Sequence, residues 1–203
     1  MPRLISAHFG SENAYSYVFS GEFGYLDHAL ASSGLAAAVT GAAEWHINSD
    51  ESDVYDYNTN FRPTEQTDLW EANEFRSSDH DPVVVGLDTT PPNLEIELSE
   101  TELWPPNHKY RNVTATVTAT DESDPSPAIR LVSVTSNEPD DGRGDGSTRN
   151  DIRIIDDTTF ELRAERSSLG EGRVYTITYE AEDASGNTTR VEATVDVPKS
   201  KRP

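Results

Sequence analysis

The segment with the clearest chemical potential is Ser78-Asp79-His80-Asp81-Pro82, which leads into the apolar run VVVGL at 83–87. It places a carboxylate and an imidazole side by side where a strand would meet solvent. That pairing can supply a metal ligand and a proton acceptor. A polar turn before a strand would use the same residue types, so the residues alone leave both interpretations open.

A second polar group lies in the glycine-rich loop DDGRGDG, where Asp140, Asp141 and Asp145 stand close together in sequence. Clusters of hard oxygen ligands suit Ca²⁺, although the spacing is not that of an EF-hand, because no ligand run here ends in a bidentate glutamate. A solvated acidic loop is the alternative. Further oxygen ligands could come from Asp121 with Asp124, or from Asp183 with Asn187.

The composition limits the kinds of function. The 203 residues include 37 acidic and 16 basic ones, for a formal net charge of −21. This charge repels phosphate backbones and excludes a passive nucleic-acid coat, but it does not exclude an enzyme whose bound divalent metal reverses the sign locally.

The absence of cysteine excludes disulfides and thiolate-bound zinc. No apolar run is long enough to predict a membrane span, and the first ten residues lack the features of a signal peptide.

The chain changes character near residue 88, at the double proline of DTTPPN. Adjacent prolines cannot join a central strand, so we assign 1–88 to one domain, 89–92 to a linker, 93–198 to a second domain and 199–203 to a tail.

In the first domain, strands are predicted at 14–19, 25–32, 39–47 and 82–87, the last buried on both faces. Ser32 and Ser33 predict the cap of a short helix over 34–39. The polar stretch 48–78 is predicted to be a long functional loop.

The second domain shows clear alternation of apolar and polar residues. One example is the series Val113, Ala115, Val117, Ala119, which puts every second side chain on one face. Seven such runs at short spacing predict an all-β sandwich. They cover 94–99, 113–121, 129–134, 151–155, 159–164, 174–183 and 190–197.

Several segments of the first domain resemble the endonuclease/exonuclease/phosphatase superfamily, which has the DNase I-like fold. SDHDP at 78–82 is similar to its closing motif, and GYLDHALAS at 24–32 is similar to its preceding motif. The wider pattern over 14–87 resembles the large secreted bacterial nucleases of that superfamily. The resemblance implies an incomplete α+β domain, half of a DNase I-like sandwich of two sheets and covering helices. It also implies an extracellular or cell-surface location.

The resemblance also implies roles for three residues. His80 would be the imidazole at the scissile phosphate, acting as general base or steadying the transition state. Asp79 would bind Mg²⁺ or Mn²⁺, or the attacking water. Asp27 would hold His80 in the right tautomer. For the substrate, the resemblance implies DNA or RNA, although a phosphatase of the same superfamily is an alternative because SDHDP is common to all its branches.

Other residues of the pattern carry no chemistry that can be assigned from sequence. A structural role is favoured for His46, Asn48 and Asp50. Arg76 could contact phosphate or be an ordinary surface arginine.

The upstream half of the family's domain supplies an Asn and a Glu that bind metal, a second His and an Asp-x-Asn pair, and none of these has a clear counterpart before Gly24. Glu12-Asn13 is the nearest candidate. The chain is therefore expected to be a C-terminal fragment, inactive by itself, whose partner is the upstream half of the nuclease domain.

The second domain resembles a bacterial extracellular Ig-like module found appended to secreted enzymes and surface proteins. The resemblance is carried by LWPPNHKYRNVTATVTATD, SNEPDDGRGDG and LRAERSSLGEGRVYTITYEAEDASGN. It implies an accessory role rather than a reaction. An alternative function for the whole chain is therefore extracellular binding or adhesion, with Ca²⁺ as a possible ligand.

Overall fold

The computed structural model describes residues 14–52, 60, 63–71 and 73–200. The chain divides into two compact units, Met1–Thr89 and Thr90–Pro203. The described part is mostly antiparallel β-strand, with two short helices. Within it, neither helix has the length and apolar character that a membrane crossing requires.

The first unit contains two small sheets and the two helices. The helix α1, Ser33–Ala37, has the predicted cap, because the Ser32 hydroxyl accepts the Leu35 amide at 3.2 Å. It is shorter than the predicted 34–39, since Val39 already belongs to the next strand. The strand pairs β1–β2 and β3–β4 are both antiparallel. The elements are β1 Tyr17–Phe19, β2 Glu22–Gly24, α1 Ser33–Ala37, β3 Val39–Glu44, α2 Thr64–Thr67 and β4 Val83–Leu87.

Two strand predictions for this unit are wrong. The segment 25–32 does not form the predicted strand, because the Leu26 and Asp27 amides donate to the Ser16 hydroxyl instead of to a neighbouring strand. The run 83–87 does form β4 but is not buried on both faces: Val84 is 50% exposed. The reason is that β4 lies in a two-stranded sheet whose outer face has no cover among the described residues.

The core of the first unit is small. Among the described residues, Ala31 and Ala42 form its buried apolar centre, with partly buried side chains such as Val83 and Val85 around them. Eleven large apolar side chains remain exposed in the described part of this unit. They are Phe19, Phe23, Leu26, Leu30, Leu35, Trp45, Leu69, Trp70, Phe75, Val84 and Leu87.

The second unit contains seven strands, and each predicted run corresponds to one of them. The strands are β5 Asn93–Leu98, β6 Tyr110–Thr120, β7 Ala128–Ser136, β8 Ile152–Asp156, β9 Thr159–Arg163, β10 Gly172–Glu182 and β11 Thr188–Pro198. They form a four-stranded sheet in the order β5-β6-β9-β8 and a three-stranded sheet in the order β11-β10-β7.

The two sheets of this unit share one apolar core. The four-stranded sheet contributes Val113, Phe160 and Leu162, all fully buried, and the three-stranded sheet contributes Tyr175 and Ile177 on the facing side. Alternation along β6, β9 and β11 sends every second side chain into this core. For these strands, the sequence periodicity predicted both the strand and the face that it buries.

Candidate functional site

The structure brings His80 and Asp27 into direct contact, although 53 residues separate them in sequence. The Nδ1 atom of His80 lies 2.7 Å from Oδ2 of Asp27. Both side chains are about one-third exposed, at 34% and 35%. In a neutral ring whose Nδ1–H donates to the carboxylate, Nε2 is left as the acceptor. The pair therefore presents an accessible, oriented proton acceptor.

Ser16 positions both partners of this pair. It is fully buried, and its hydroxyl accepts the amides of Leu26 and Asp27 at 3.2 and 3.1 Å. Its carbonyl accepts the Asp81 amide at 2.8 Å, and the next residue, Tyr17, forms an antiparallel bridge with His80. One buried serine thus holds the backbone beside Asp27 and the backbone beside His80. Nothing in its sequence context marked it as a site residue.

Two tyrosines of the same segment lie against two histidines. The ring of Tyr17 is 4.9 Å from that of His80, and the ring of Tyr15 stacks on that of His46 at 4.0 Å. The Tyr15 hydroxyl donates to Asp50 at 2.9 Å. Burial, together with this hydrogen bond to a carboxylate, raises the pKa of Tyr15 to about 12. Tyr15 is therefore a neutral donor at ordinary pH and supports the ring of His46.

Asp81 is the buried centre of the loop, and it was not predicted as a site residue. Its carboxylate receives His46 Nδ1 at 2.7 Å, the amides of Asn48 and Ser49 at 3.0 and 2.9 Å, and the Ser49 hydroxyl. Burial acts to raise the pKa of Asp81, but the hydrogen bonds from His46, Ser49 and Asn48 outweigh it and hold the pKa below its usual value. The sequence did contain one indication of this role, because Asp81 stands directly before a strand. A carboxylate that is buried at such a position needs hydrogen-bond donors around it.

Asn48 joins the same loop to the end of β3. Its Nδ2 donates to the His80 carbonyl at 2.7 Å, and its Oδ1 accepts the Ser77 amide at 3.0 Å. Its own carbonyl accepts Nη1 of Arg76 at 2.8 Å. His46, Asn48 and Asp50 thus act through contacts with other residues of the unit. Arg76 is only 9% exposed, so of the two alternatives left open for it, the ordinary surface arginine does not describe its position.

Asp79 precedes His80 and is partly exposed. It offers one carboxylate of the kind that Mg²⁺ and Mn²⁺ accept. In the described part of the first unit taken alone, no three His, Asp or Glu side chains come close enough to share an ion. Glu44, whose pKa is raised by burial, has an Oε1 with no hydrogen-bond partner among the described residues. Glu12 and Asn13, the predicted source of further ligands, lie outside the described residues.

A cavity of about 470 Å³ lies elsewhere in this unit. Trp70, Phe75 and Arg76 line it, together with Glu51, Asp68, Leu69, Glu71 and Asn73. The lining includes neither His80, Asp27 nor Asp79, so the candidate site is an open surface feature rather than this cavity.

In the acidic loop of the second unit, Asp140, Asp141 and Asp145 have separate partners. Asp140 accepts the amides of Asn150 and Asp151, and Asp141 pairs with Arg149 at 3.0 Å. Among the described residues, Asp140, Asp141 and Asp145 do not converge as one group of ligands. Asp145 instead points into the domain and is 1% exposed.

Comparison with protein-family models, curated protein sequences and solved structures gives no match for any part of the chain. Function is therefore inferred from the geometry of the residues and from the motifs that they form.

Proposed function

We propose that the first unit supplies a histidine–aspartate pair to a metal-dependent phosphodiesterase of the DNase I-like type that acts on nucleic acid. The observation that carries the proposal is the 2.7 Å contact between His80 Nδ1 and Asp27 Oδ2, with Asp79 adjacent. Motif order and spacing in the sequence predicted this pairing.

In this proposal each side chain has one task. Nε2 of His80 takes a proton from the attacking water or stabilises charge at the scissile phosphate. Asp27 holds the ring in the tautomer that leaves Nε2 free, as in other histidine-based sites. Asp79 contributes one oxygen to a divalent metal. When bound, Mg²⁺ or Mn²⁺ supplies Lewis-acid polarisation of the phosphoryl oxygens and locally offsets the acidic surface.

The proposal includes a complementary half-domain as partner. Two observations support it: Asp79 has too few neighbouring ligands among the described residues of its unit, and apolar side chains such as Phe19, Phe23 and Val84 remain exposed there. A second sheet packed on β4 would cover part of this surface. The first unit would then be half of a DNase I-like sandwich.

We propose that the second unit is an Ig-like accessory module of an extracellular protein. Its two facing sheets and single core support this assignment. A binding or adhesion function for this unit is the second candidate. It is favoured by the fact that this unit alone has a complete apolar core among the described residues.

The test is a cleavage assay on the chain combined with the complementary half-domain, supplied as a longer reading frame or as a separate polypeptide. Plasmid DNA, RNA and a phosphomonoester are the three substrates, each with Mg²⁺, Mn²⁺ or EDTA. His80→Ala should lower metal-dependent cleavage of nucleic acid by about 10²–10⁴-fold, the usual share of a general base. His28→Ala is the matched control, because His28 is next to Asp27 but contacts the ring of Tyr25.

Cleavage that is insensitive to His80→Ala would overturn the site assignment. Turnover of the phosphomonoester alone would replace the nuclease with a phosphatase of the same type.

A further inference from the structure

The interior of the second unit contains a group of three carboxylates, only one of which, Asp145, belongs to the predicted acidic group. One oxygen from each of Asp145, Asp151 and Glu165 lies within 4.8 Å of the others. The three residues are 1%, 2% and 0% exposed. Burying three carboxylates together is costly unless cations or donors balance them.

Two arginines balance part of this charge. Arg173 is 1% exposed and forms an ion pair with Asp151 through Nη1. Its Nη2 lies 3.6 Å from Oδ2 of Asp145, and its Nε lies 3.5 Å from Oε2 of Glu138. Arg163 donates from Nε to Asp151 at 3.1 Å. With Glu165 included, four carboxylates lie in this cluster against two guanidinium groups, which leaves an excess of negative charge.

Glu165 gives an independent indication of a missing ligand. Its Oε2 accepts Nδ1 of His108 at 2.8 Å and the Thr148 hydroxyl. Its Oε1 is buried and has no hydrogen-bond partner in the described part of the chain. A buried carboxylate oxygen without a partner is rare, because it forfeits its hydration without compensation.

We infer that Asp145, Asp151 and Glu165 bind one Ca²⁺ ion inside the second unit. Calcium holds oxygen ligands at about 2.3–2.6 Å, so oxygens on opposite sides of the ion lie up to about 5 Å apart. The spread of the three oxygens fits within that limit. The ligands are all hard carboxylate oxygens, which suits Ca²⁺ better than softer transition metals. The ion cancels the excess charge and gives Glu165 Oε1 a partner.

The site is independent of the proposed nuclease centre, since every residue in it belongs to the second unit. It also differs from the predicted Asp140, Asp141 and Asp145 group, of which only Asp145 is retained. Its role is structural, because it ties the 140–151 loop to the segment after β9 that carries Glu165.

Calcium binding is measured on the full chain by calorimetric titration, and thermal unfolding is followed with Ca²⁺, with an equal concentration of Mg²⁺ and with EDTA. The expected dissociation constant is about 10⁻⁵–10⁻³ M, spanning sensor and extracellular sites. Calcium should raise the melting temperature by mass action. Magnesium should raise it less, because Mg²⁺ dehydrates reluctantly and demands near-ideal octahedral geometry.

Glu165→Gln removes one charge at constant size and should weaken Ca²⁺ binding at least about tenfold, since site affinity depends on the number of charged ligands. Asp141→Asn is the matched control in the same acidic loop and should change the affinity less than about twofold, because Asp141 pairs with Arg149 at the surface. Asp145→Asn is the second test variant if Glu165→Gln does not fold.

Wild-type protein that is stabilised equally by Ca²⁺ and Mg²⁺ would show only general screening of the acidic surface. No stabilisation by millimolar Ca²⁺ would mean that a proton, rather than a cation, balances the cluster. Either result overturns the inference, as would equal effects of Glu165→Gln and Asp141→Asn on the affinity.

Discussion

The described part of the first unit contains two histidine–aspartate pairs, and they differ in their carboxylates. Asp27 is 35% exposed beside His80, whereas the side chain of Asp81 is fully buried beside His46. Both imidazoles are about one-third exposed, so the SDHDP motif at 78–82, rather than exposure, assigns the proposed chemistry to His80. Asp81 is surrounded by four donors and has no access to solvent, so His46–Asp81 is suited to holding the loop that carries His80.

At the residue scale, Asp27 should set the tautomer of His80. In the wild type, ¹⁵N chemical shifts of the neutral ring should show the proton on Nδ1, because Asp27 Oδ2 accepts from that atom. Asp27→Asn removes the charged acceptor, and the two tautomers should then become mixed. His28→Ala is the control and should leave the His80 shifts unchanged. A His80 ring with its proton on Nε2 in the wild type would contradict the assignment.

Asp81 should dominate the acid stability of the first unit. Its pKa is held below the usual 3.8, so its contribution is fully present above pH 3.8 and is lost as the pH falls further. Asp81→Asn should destabilise the unit at neutral pH by about 1.5–3 kcal/mol, the range for hydrogen bonds to a charged group. Asp81→Asn should also make the free energy of unfolding fall less steeply as the pH drops below 3.8.

Urea unfolding between pH 2 and pH 7 measures both effects of Asp81→Asn. Asp68→Asn serves as the control, since Asp68 is exposed. An acid limb that is equally steep in Asp81→Asn and in the wild type would show that other carboxylates control it.

At the element scale, periodicity predicted the second unit well and the first unit poorly. Alternation in β6 and β10 is sufficient because every second residue faces one core. The segment 25–32 has strand-like residues, yet its amides bind the side chain of Ser16, a contact between distant positions that no local pattern encodes. The pairing of His80 with Asp27 was predictable from motif order. Asp81 as the buried centre was not, because its partner His46 lies 35 residues away.

The two faces of β4 should respond differently to the same substitution. Val85 packs against the Ala31 and Ala42 core, whereas Val84 is 50% exposed. Val85→Thr buries a hydroxyl and should cost about 1–2 kcal/mol of unfolding free energy. Val84→Thr should change it by less than about 0.5 kcal/mol, as at other open surface positions. Urea unfolding of the two variants makes the comparison. Equal costs would mean that something in this chain already covers the outer face of β4.

At the scale of the whole molecule, the second unit should fold by itself. Its core draws on both sheets, and residues such as Phe160, Tyr175 and Val195 are fully buried within it. A chain of residues 90–203 should therefore unfold cooperatively, with a stability in the range of about 5–15 kcal/mol typical of single domains. Circular dichroism and tyrosine fluorescence should give coincident transitions. A broad melt that differs between the two probes would contradict the division at Thr89 and Thr90.

The first unit, in contrast, should be catalytically inert in the 203-residue chain by itself. Enzymes typically accelerate their reactions by about 10⁶–10¹⁷-fold, and a general base such as His80 supplies only about 10²–10⁴-fold of that. The remainder depends on a metal held by several oxygens, and among the described residues of its unit Asp79 has too few neighbouring ligands to hold one. The measurement is cleavage of plasmid DNA and of bis-nitrophenyl phosphate with Mg²⁺ and with Mn²⁺, for the chain alone and combined with the complementary half-domain. Metal-dependent cleavage by the chain alone, abolished by His80→Ala, would overturn this prediction and would direct the search for ligands to Glu12, Asp53 and Asp56, which lie outside the described residues.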